Sequence, residues 1–111
     1  MSFDPADFFD VAAGLVGQNE AGNRTAIGRL YYGMFLILRD RYGLARERGA
    51  SVHRLVYLRP AGQRGGVRTS QALAELRVLR NACDYDVTRA ITPEDLAQAQ
   101  EFAAAVRRVL Q

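Results

Sequence analysis

Arg80 is the residue whose type and position most clearly point to chemistry. Ala72, Leu73, Leu76, Leu79 and Cys83 recur at the three- and four-residue spacing of one buried helical stripe, and Arg80 falls inside that stripe. A guanidinium group is always charged, and burying it without a partner carries a large free-energy cost. The spacing therefore predicts a partner for Arg80: a carboxylate, tyrosine hydroxyls, backbone carbonyls or an anionic ligand.

Two interpretations of Arg80 stay open from its spacing alone. Asp84 follows one helical turn later and can neutralise Arg80 at the edge of the core. Alternatively, the helix holds Arg80 at a groove, where the guanidinium meets the phosphate of a ligand. Structural ion pairs are common, so a charge in an apolar stripe indicates a site without establishing one.

Length and composition restrict the class of protein. A chain of 111 residues, 49% of them apolar, has room for one hydrophobic core, so we expect a single helical domain over residues 1–111. One cysteine and one histidine argue against a disulfide or a cysteine-rich metal site, and we expect no metal and no other cofactor. The chain shows neither a signal-peptide pattern nor an apolar run of membrane-spanning length, which predicts a cytoplasmic protein without a membrane partner.

The positive charge is unevenly distributed. All fifteen basic residues are arginine, and eight of them lie between positions 39 and 68 with only two acidic residues. Arginine suits phosphate groups and planar stacking partners better than lysine does. The middle third of the chain therefore favours an anionic partner, although a genome rich in G and C would also produce an arginine-only basic set.

A long second helix is the element most clearly predicted. From Arg24 to about Tyr42 it is apolar on nearly all sides, which is typical of a helix at the centre of a bundle or at a subunit interface. Gly28 and Gly33 lower its helix propensity, and close approach by another helix would explain both. We expect a turn before it at residues 22–23 and a C-cap after it at Gly43.

The remaining elements are also helical. Asp4 and Pro5 predict the start of a first helix, and Ser51 that of a short helix to about Leu58. The short helix carries His53, which we expect to be a surface or partly hydrogen-bonded residue away from Arg80. Residues 59–68 read as a loop, either a plain connection or an arginine-bearing flap. Two further helices, one ending near Asp86 and one opening at residues 92–93, complete an all-α fold: an antiparallel four-helix bundle with one additional short helix.

Two segments together resemble a known family. Residues 24–35 (RTAIGRLYYGMF) are similar to the R-x-A-x-x-R-x-Y-Y-x-x-F helix of HEPN domains, and residues 80–86 (RNACDYD) resemble their late R-N-x-A-D-Y-D segment, with Cys83 where alanine is usual. The likeness covers nearly the whole chain. It is closest to the small stand-alone HEPN proteins encoded beside minimal nucleotidyltransferases.

The resemblance implies a homodimer with a shared cleft. In many family members an arginine contacts the scissile phosphate of RNA and a histidine four to six residues later supports proton transfer. Carried over by position, the catalytic candidates are Arg80, Asn81, Asp84 and Tyr85, the last standing near the place of the histidine. The arginines assigned to phosphate or nucleic acid are Arg80, Arg77 and Arg29, and the residues assigned to the dimer surface or cleft lining are Tyr31, Tyr32, Met34 and Phe35.

Three functions follow as alternatives. The first is a binding module that holds RNA or nucleotide phosphate at a dimer cleft, in a toxin–antitoxin or defence module with a small nucleotidyltransferase as partner; Tyr85 would be a hydroxyl open to modification. The second is a metal-independent endoribonuclease toxin, which the missing histidine disfavours because tyrosine is a poor base at neutral pH. The third is a structural or protein-interaction bundle, in which Arg80, Asp84 and the hydroxyls of Tyr31 and Tyr32 form a buried polar network.

Overall fold

The fold is built around its second helix. The computed structural model describes residues 3–44, 46–47, 49, 51–61 and 66–110, of which the side chains of 57–61, 66–67 and 109–110 are not described. The helices are α1 (Asp7–Leu15), α2 (Glu20–Arg41), α3 (Ser51–Ala61), α4 (Gly66–Tyr85) and α5 (Pro93–Leu110). All regular secondary structure within these residues is helical, as the sequence predicts.

Helix α2 packs against each of the other four helices. Its buried side chains lie on several sides of the helix and include Ile27, Leu30, Tyr31, Met34 and Leu38. The predicted central position is therefore confirmed. It also accounts for the all-round apolar pattern within one chain, so this pattern no longer argues for a second subunit.

Both ends of α2 are set by specific residues. The side chain of Asn19 accepts a hydrogen bond from the backbone N–H of Gly22 at 2.7 Å, which starts the helix at Glu20. The predicted turn at Gly22 and Asn23 is wrong, because this cap draws both residues into the helix. At the other end Gly43 has φ +71°, the left-handed conformation expected of a C-cap glycine.

The two glycines inside α2 differ in their surroundings. A Cβ atom at Gly33 would lie 2.8 Å from the ring of Phe9, so α1 approaches closely there, as predicted. A Cβ atom at Gly28 would meet only a carboxylate oxygen of Asp84, at 3.8 Å, which is an ordinary contact. The predicted close approach at Gly28 is therefore wrong.

The predicted boundaries shift at two other places. The side chain of Asp4 accepts a hydrogen bond from the backbone N–H of Ala6, as predicted. The next N–H groups along the chain donate to the carbonyl oxygen three residues before them, so the α-helix proper begins at Asp7. The predicted loop 59–68 is too long: α3 continues to Ala61, with Pro60 in its last turn, and α4 begins at Gly66. Residues 62–65, which the flap interpretation also needs, lie outside the described residues. Among the described helices, none is both long and apolar enough to cross a membrane.

Candidate functional site

Arg80 lies near the end of α4, on the border of the core. Leu73, Leu76, Leu79 and Cys83 of the predicted stripe are buried. The Arg80 side chain is 13% exposed, so its guanidinium is largely withdrawn from solvent without being sealed inside. The helical spacing therefore placed Arg80 correctly at the margin of the apolar face.

Each nitrogen of Arg80 faces an acceptor of its own chain. Nη1 donates to Oδ1 of Asn81 at 3.0 Å and Nη2 donates to the hydroxyl of Tyr32 at 3.0 Å. The predicted pairing with Asp84 is present, with 2.9 Å between Nε and Oδ2. The Nε–H does not point at this oxygen, so the contact is an ion pair without a hydrogen bond. Asn81 and Asp84 are both exposed, so these acceptors lie on the solvent side of the guanidinium.

Aromatic rings of α2 flank the arginines. The guanidinium carbon of Arg80 lies 4.9 Å from the ring centre of Tyr32 and 5.9 Å from that of Tyr31. Arg29 lies 5.4 Å from the same Tyr32 ring, so two cations share one aromatic side chain. We call the following group of residues the Arg80 cluster: Arg29, Tyr31, Tyr32, His53, Arg77, Arg80, Asn81 and Asp84.

The Arg80 cluster carries more positive than negative charge. Arg29, Arg77 and Arg80 contribute three cations, and the one ion pair they form among the described residues is that of Arg80 with Asp84. Nε of Arg77 is buried and has no hydrogen-bond partner within this part of the chain. A buried donor without an acceptor is costly, so the cluster is not fully satisfied by the described residues. An anion arriving at the cluster would meet arginines that outnumber their carboxylate partners there.

Tyr31 connects the cluster to the core. Its ring is 1% exposed, and its hydroxyl lies 2.6 Å from Nδ1 of His53. Burial raises the pKa of Tyr31 to about 12, so the phenol keeps its proton at neutral pH. Burial also lowers the pKa of His53, and the positive charges of Arg77 and Arg80 lower it further. At neutral pH the pair is thus a phenol and an uncharged imidazole.

The other predicted site residues have different surroundings. Tyr85 is 74% exposed, with its ring 5.7 Å from the guanidinium carbon of Arg80. Phe35 is buried and stacks on His53, which puts it beside the cluster. Met34 is fully buried among the helices of its own chain. The structure therefore does not bring Met34 to a surface or a cleft, because α2 is surrounded on that side too.

Asp86, the last residue of the second motif segment, has local hydrogen-bond partners. Its Oδ1 accepts from the backbone N–H and hydroxyl of Thr88 and from the N–H of Arg89. These hydrogen bonds, those of Thr88 first, lower the pKa of Asp86. Asp86 therefore organises the loop after α4 as a carboxylate and makes no contact with Arg80.

Arg24 has a structural role that the sequence reasoning missed. It donates to the carbonyl oxygens of Ala82, Cys83 and Asp86 at 2.9 to 3.2 Å, and also to that of Arg89. It thereby caps the C-terminal end of α4 from the first turns of α2, and joins the two motif segments. A signal existed: Arg24 precedes Ile27, Gly28 and Tyr31 at the same spacing that singled out Arg80.

His53 is the second residue that sequence reasoning placed elsewhere. It is half-buried and hydrogen-bonded, as expected. The charge of Arg80 acts on its imidazole, however, so the expected separation of His53 from Arg80 is wrong. Helix α3 packs against both α4 and α2, which brings the imidazole next to Tyr31. Spacing within α3 contains no information on this pairing of helices.

The chemistry available to the Arg80 cluster is that of anion binding. Its cations and hydroxyls are donors suited to phosphate or carboxylate oxygens. Within the described ranges, no three histidine, cysteine, aspartate or glutamate side chains gather where they could hold a metal ion.

Comparison with known proteins places the chain among archaeal relatives. No protein-family model matches the chain, and no solved structure matches it significantly. The uncharacterized protein MJ0992 of Methanocaldococcus jannaschii is 32% identical over 74% of this chain, which spans 58% of that relative's length. The uncharacterized protein MJ0628 of the same organism is 30% identical over 90% of this chain and 74% of the relative. At this identity and coverage, the chain belongs to the same protein family as MJ0628.

Proposed function

We propose that this chain is a HEPN-like binding module that holds a phosphate group of RNA or of a nucleotide at the Arg80 cluster. The two motif segments support the proposal because α2 and α4 bring them together. Arg24 of the first segment donates to the carbonyl oxygens of Ala82 and Cys83 in the second, and Tyr32 of the first accepts from Arg80 of the second. In this proposal the helices form the antiparallel four-helix bundle of that family, with one short additional helix.

The excess of cations in the Arg80 cluster is the observation that carries the proposal. Three arginines face one paired carboxylate, and the buried Nε of Arg77 lacks an acceptor among the described residues. A purely structural network would balance its charges, since uncompensated charge at the edge of a core is destabilising. Phosphate oxygens would supply the missing negative charge.

The proposal includes a homodimer, which exposed side chains on α4 support in place of the apolar pattern of α2. Val78, Tyr85 and Val87 are 60%, 74% and 89% exposed, and they line the outer side of α4 and its end. Burying such side chains against a second copy would place two Arg80 clusters near one another. The exposed hydroxyl of Tyr85 is also accessible to a partner enzyme, such as a small nucleotidyltransferase in a toxin–antitoxin pair.

Salt-dependent RNA binding tests the proposal. Fluorescence anisotropy with a short single-stranded RNA should give an affinity that falls steeply with salt, because bound counterions are released from the phosphates. Arg80→Gln should weaken binding by about tenfold and reduce the salt slope by roughly one. Arg41→Gln is the matched control, since Arg41 is exposed at the far end of α2. Equal losses in the two variants, or binding insensitive to salt, would exclude a phosphate site at Arg80.

A structural role is the second candidate, and one observation favours it. Nη1 and Nη2 of Arg80 already donate to acceptors of its own chain, and Nε lies in an ion pair with Asp84, so much of a buried polar network is in place. Under this alternative the RNA affinity is negligible, and Arg80 variants change only stability.

An endoribonuclease is less well supported by the contacts. Asp84 pairs with Arg80 and Asp86 caps the loop after α4, so neither carboxylate is free for proton transfer. Expression in a bacterial host, with growth and RNA integrity as readouts, separates cleavage from binding: intact RNA at high expression removes the nuclease.

A further inference from the structure

His53 has an arrangement unlike that of an ordinary core histidine. One face of its imidazole stacks on Phe35, with 4.2 Å between ring centres and 14° between ring planes. Nδ1 lies 2.6 Å from the hydroxyl of Tyr31. The ring is held on two sides, yet the residue is only half-buried. The imidazole is therefore fixed in orientation while part of it stays accessible.

The Tyr31 hydroxyl determines which ring nitrogen is available. The phenol is protonated at neutral pH and has no other hydrogen-bond partner in the described part of the chain, so it donates to Nδ1. A neutral imidazole that accepts at Nδ1 carries its proton on Nε2. Nε2–H makes no hydrogen bond to a described residue and is thus a donor available for a ligand.

Within the described part of the chain, the charged groups that act on His53 are all positive. Arg77 and Arg80 act on it from α4, Tyr31 and Phe35 from α2 are uncharged, and its neighbour on α3 is the exposed Arg54. No carboxylate among the described residues offsets these cations at the ring. They oppose protonation of His53 in the empty site, and an anion bound between them would remove that opposition.

We propose that His53 is a ligand of the phosphate bound at the Arg80 cluster, donating from Nε2, and that phosphate binding is coupled to proton uptake by His53. This inference rests on the proposed function and extends it. The phosphate would lie between α3 and α4, next to the Tyr31 hydroxyl, with Arg80 and Arg77 on one side and the imidazole on the other. The proton taken up goes to Nδ1, so the Tyr31 hydroxyl then accepts from Nδ1–H and turns its own proton toward the phosphate.

Coupling of this kind has a defined sign. A ligand that favours the protonated imidazole raises its pKa, and the ligand in turn binds more tightly at low pH. A rise of about one pKa unit corresponds to about a tenfold gain in affinity between a pH well above and a pH well below the two pKa values.

A proton NMR titration of the unmodified protein provides the test, because its one histidine gives one set of imidazole resonances. With a saturating short single-stranded RNA, the titration midpoint of His53 should rise by about one pH unit. RNA affinity should increase about fivefold from pH 8 to pH 5.5, less than the tenfold limit because pH 5.5 is not well below the lowered pKa of the free His53. His53→Asn should abolish this pH dependence, and Arg41→Gln, which changes an exposed arginine at the far end of α2, should preserve it.

The outcomes separate this inference from the function on which it rests. RNA binding that depends on Arg80 and on salt, with an unchanged His53 midpoint and equal affinities at both pH values, would overturn the role of His53 alone. Absence of salt-dependent RNA binding would overturn both. The midpoint is measured on the wild-type chain, so the test does not depend on the folding of a variant.

Discussion

Arg24 and Arg80 are both arginines within buried helical stripes, but they are satisfied in different ways. Arg24 donates to backbone carbonyls at the end of α4 and in the following loop, and those acceptors cannot move without unwinding the structure. Arg80 faces side chains: an amide, a hydroxyl and a carboxylate. Side chains can change rotamer when a competing anion arrives, whereas a helix end cannot.

The comparison separates an arginine that maintains the fold from one suited to a ligand. The single carboxylate that Arg24 pairs with, Glu20, is itself tied to the backbone N–H of Ile91 at 2.9 Å. Arg80, in contrast, has Arg29 and Arg77 nearby, and among the described residues only Asp84 forms an ion pair with any of the three. Charge balance therefore distinguishes the two arginines better than burial does, since their side chains are 18% and 13% exposed.

Arg24→Ala should have the largest effect on stability. It leaves several part-buried carbonyl oxygens at the end of α4 without a donor, so we expect a loss of about 3 kcal/mol in the free energy of unfolding. Urea denaturation followed by circular dichroism measures this quantity. Arg107→Ala, which removes an exposed arginine of α5, is the control and should cost far less. A loss under about 1 kcal/mol at Arg24 would contradict its role as a helix cap.

Arg80→Met should cost less, about 1 kcal/mol, in the same measurement. Two of the three partners that it leaves, Asn81 and Asp84, are exposed and can bind water instead, and only the part-buried hydroxyl of Tyr32 loses a less replaceable donor. The methionine retains part of the apolar contact with Tyr32. A loss as large as that of Arg24→Ala would remove the contrast between the two arginines and favour the structural network.

Glu20→Gln should produce the smallest effect, visible in the pH dependence of stability. The hydrogen bond from Ile91, and then Arg24, lower the pKa of Glu20 below its usual 4.5. The carboxylate therefore stabilises the fold above that pH, and the contribution is lost as the pH falls through the lowered value. Between about pH 5 and pH 3 the melting temperature should fall more steeply in the wild type than in Glu20→Gln. Glu101→Gln, which changes an exposed residue of α5, is the control and should retain the wild-type dependence of melting temperature on pH. If the melting temperature of Glu20→Gln fell as steeply as that of the wild type, protonation of Glu20 would not be what destabilises the fold in acid.

The helices were predictable because their signals are local. The apolar periodicity of residues 24–42, the left-handed Gly43 and the buried stripe of α4 all follow from spacing and from residue type. The error at the start of α2 is local as well. Gly22 and Asn23 favour a turn, but the cap at Asn19 starts the helix before them.

The Arg80 cluster was predictable only in part. Arg80 with Asp84 lies on one helix, so spacing sufficed to pair them. The contact between Arg80 and Tyr32 joins residues 48 positions apart. The resemblance to HEPN domains, rather than spacing, pointed to Tyr32. The pair of His53 and Tyr31 depends on which helix α3 packs against, and neither periodicity nor a motif specifies that choice. Inter-helix geometry is the information that one sequence lacked.

Tyr31 has a consequence for how this surface can change over evolutionary time. Its ring fills the interior while its oxygen reaches the imidazole, so one side chain serves both the packing of the domain and the reactivity of the cluster. Substitutions that silence the cluster at this position also loosen the interior. An anion that binds the cluster only when Tyr31 is in its folded position would also raise the melting temperature, because it binds the native state and not the unfolded chain, which makes thermal shift a practical screen for the natural ligand.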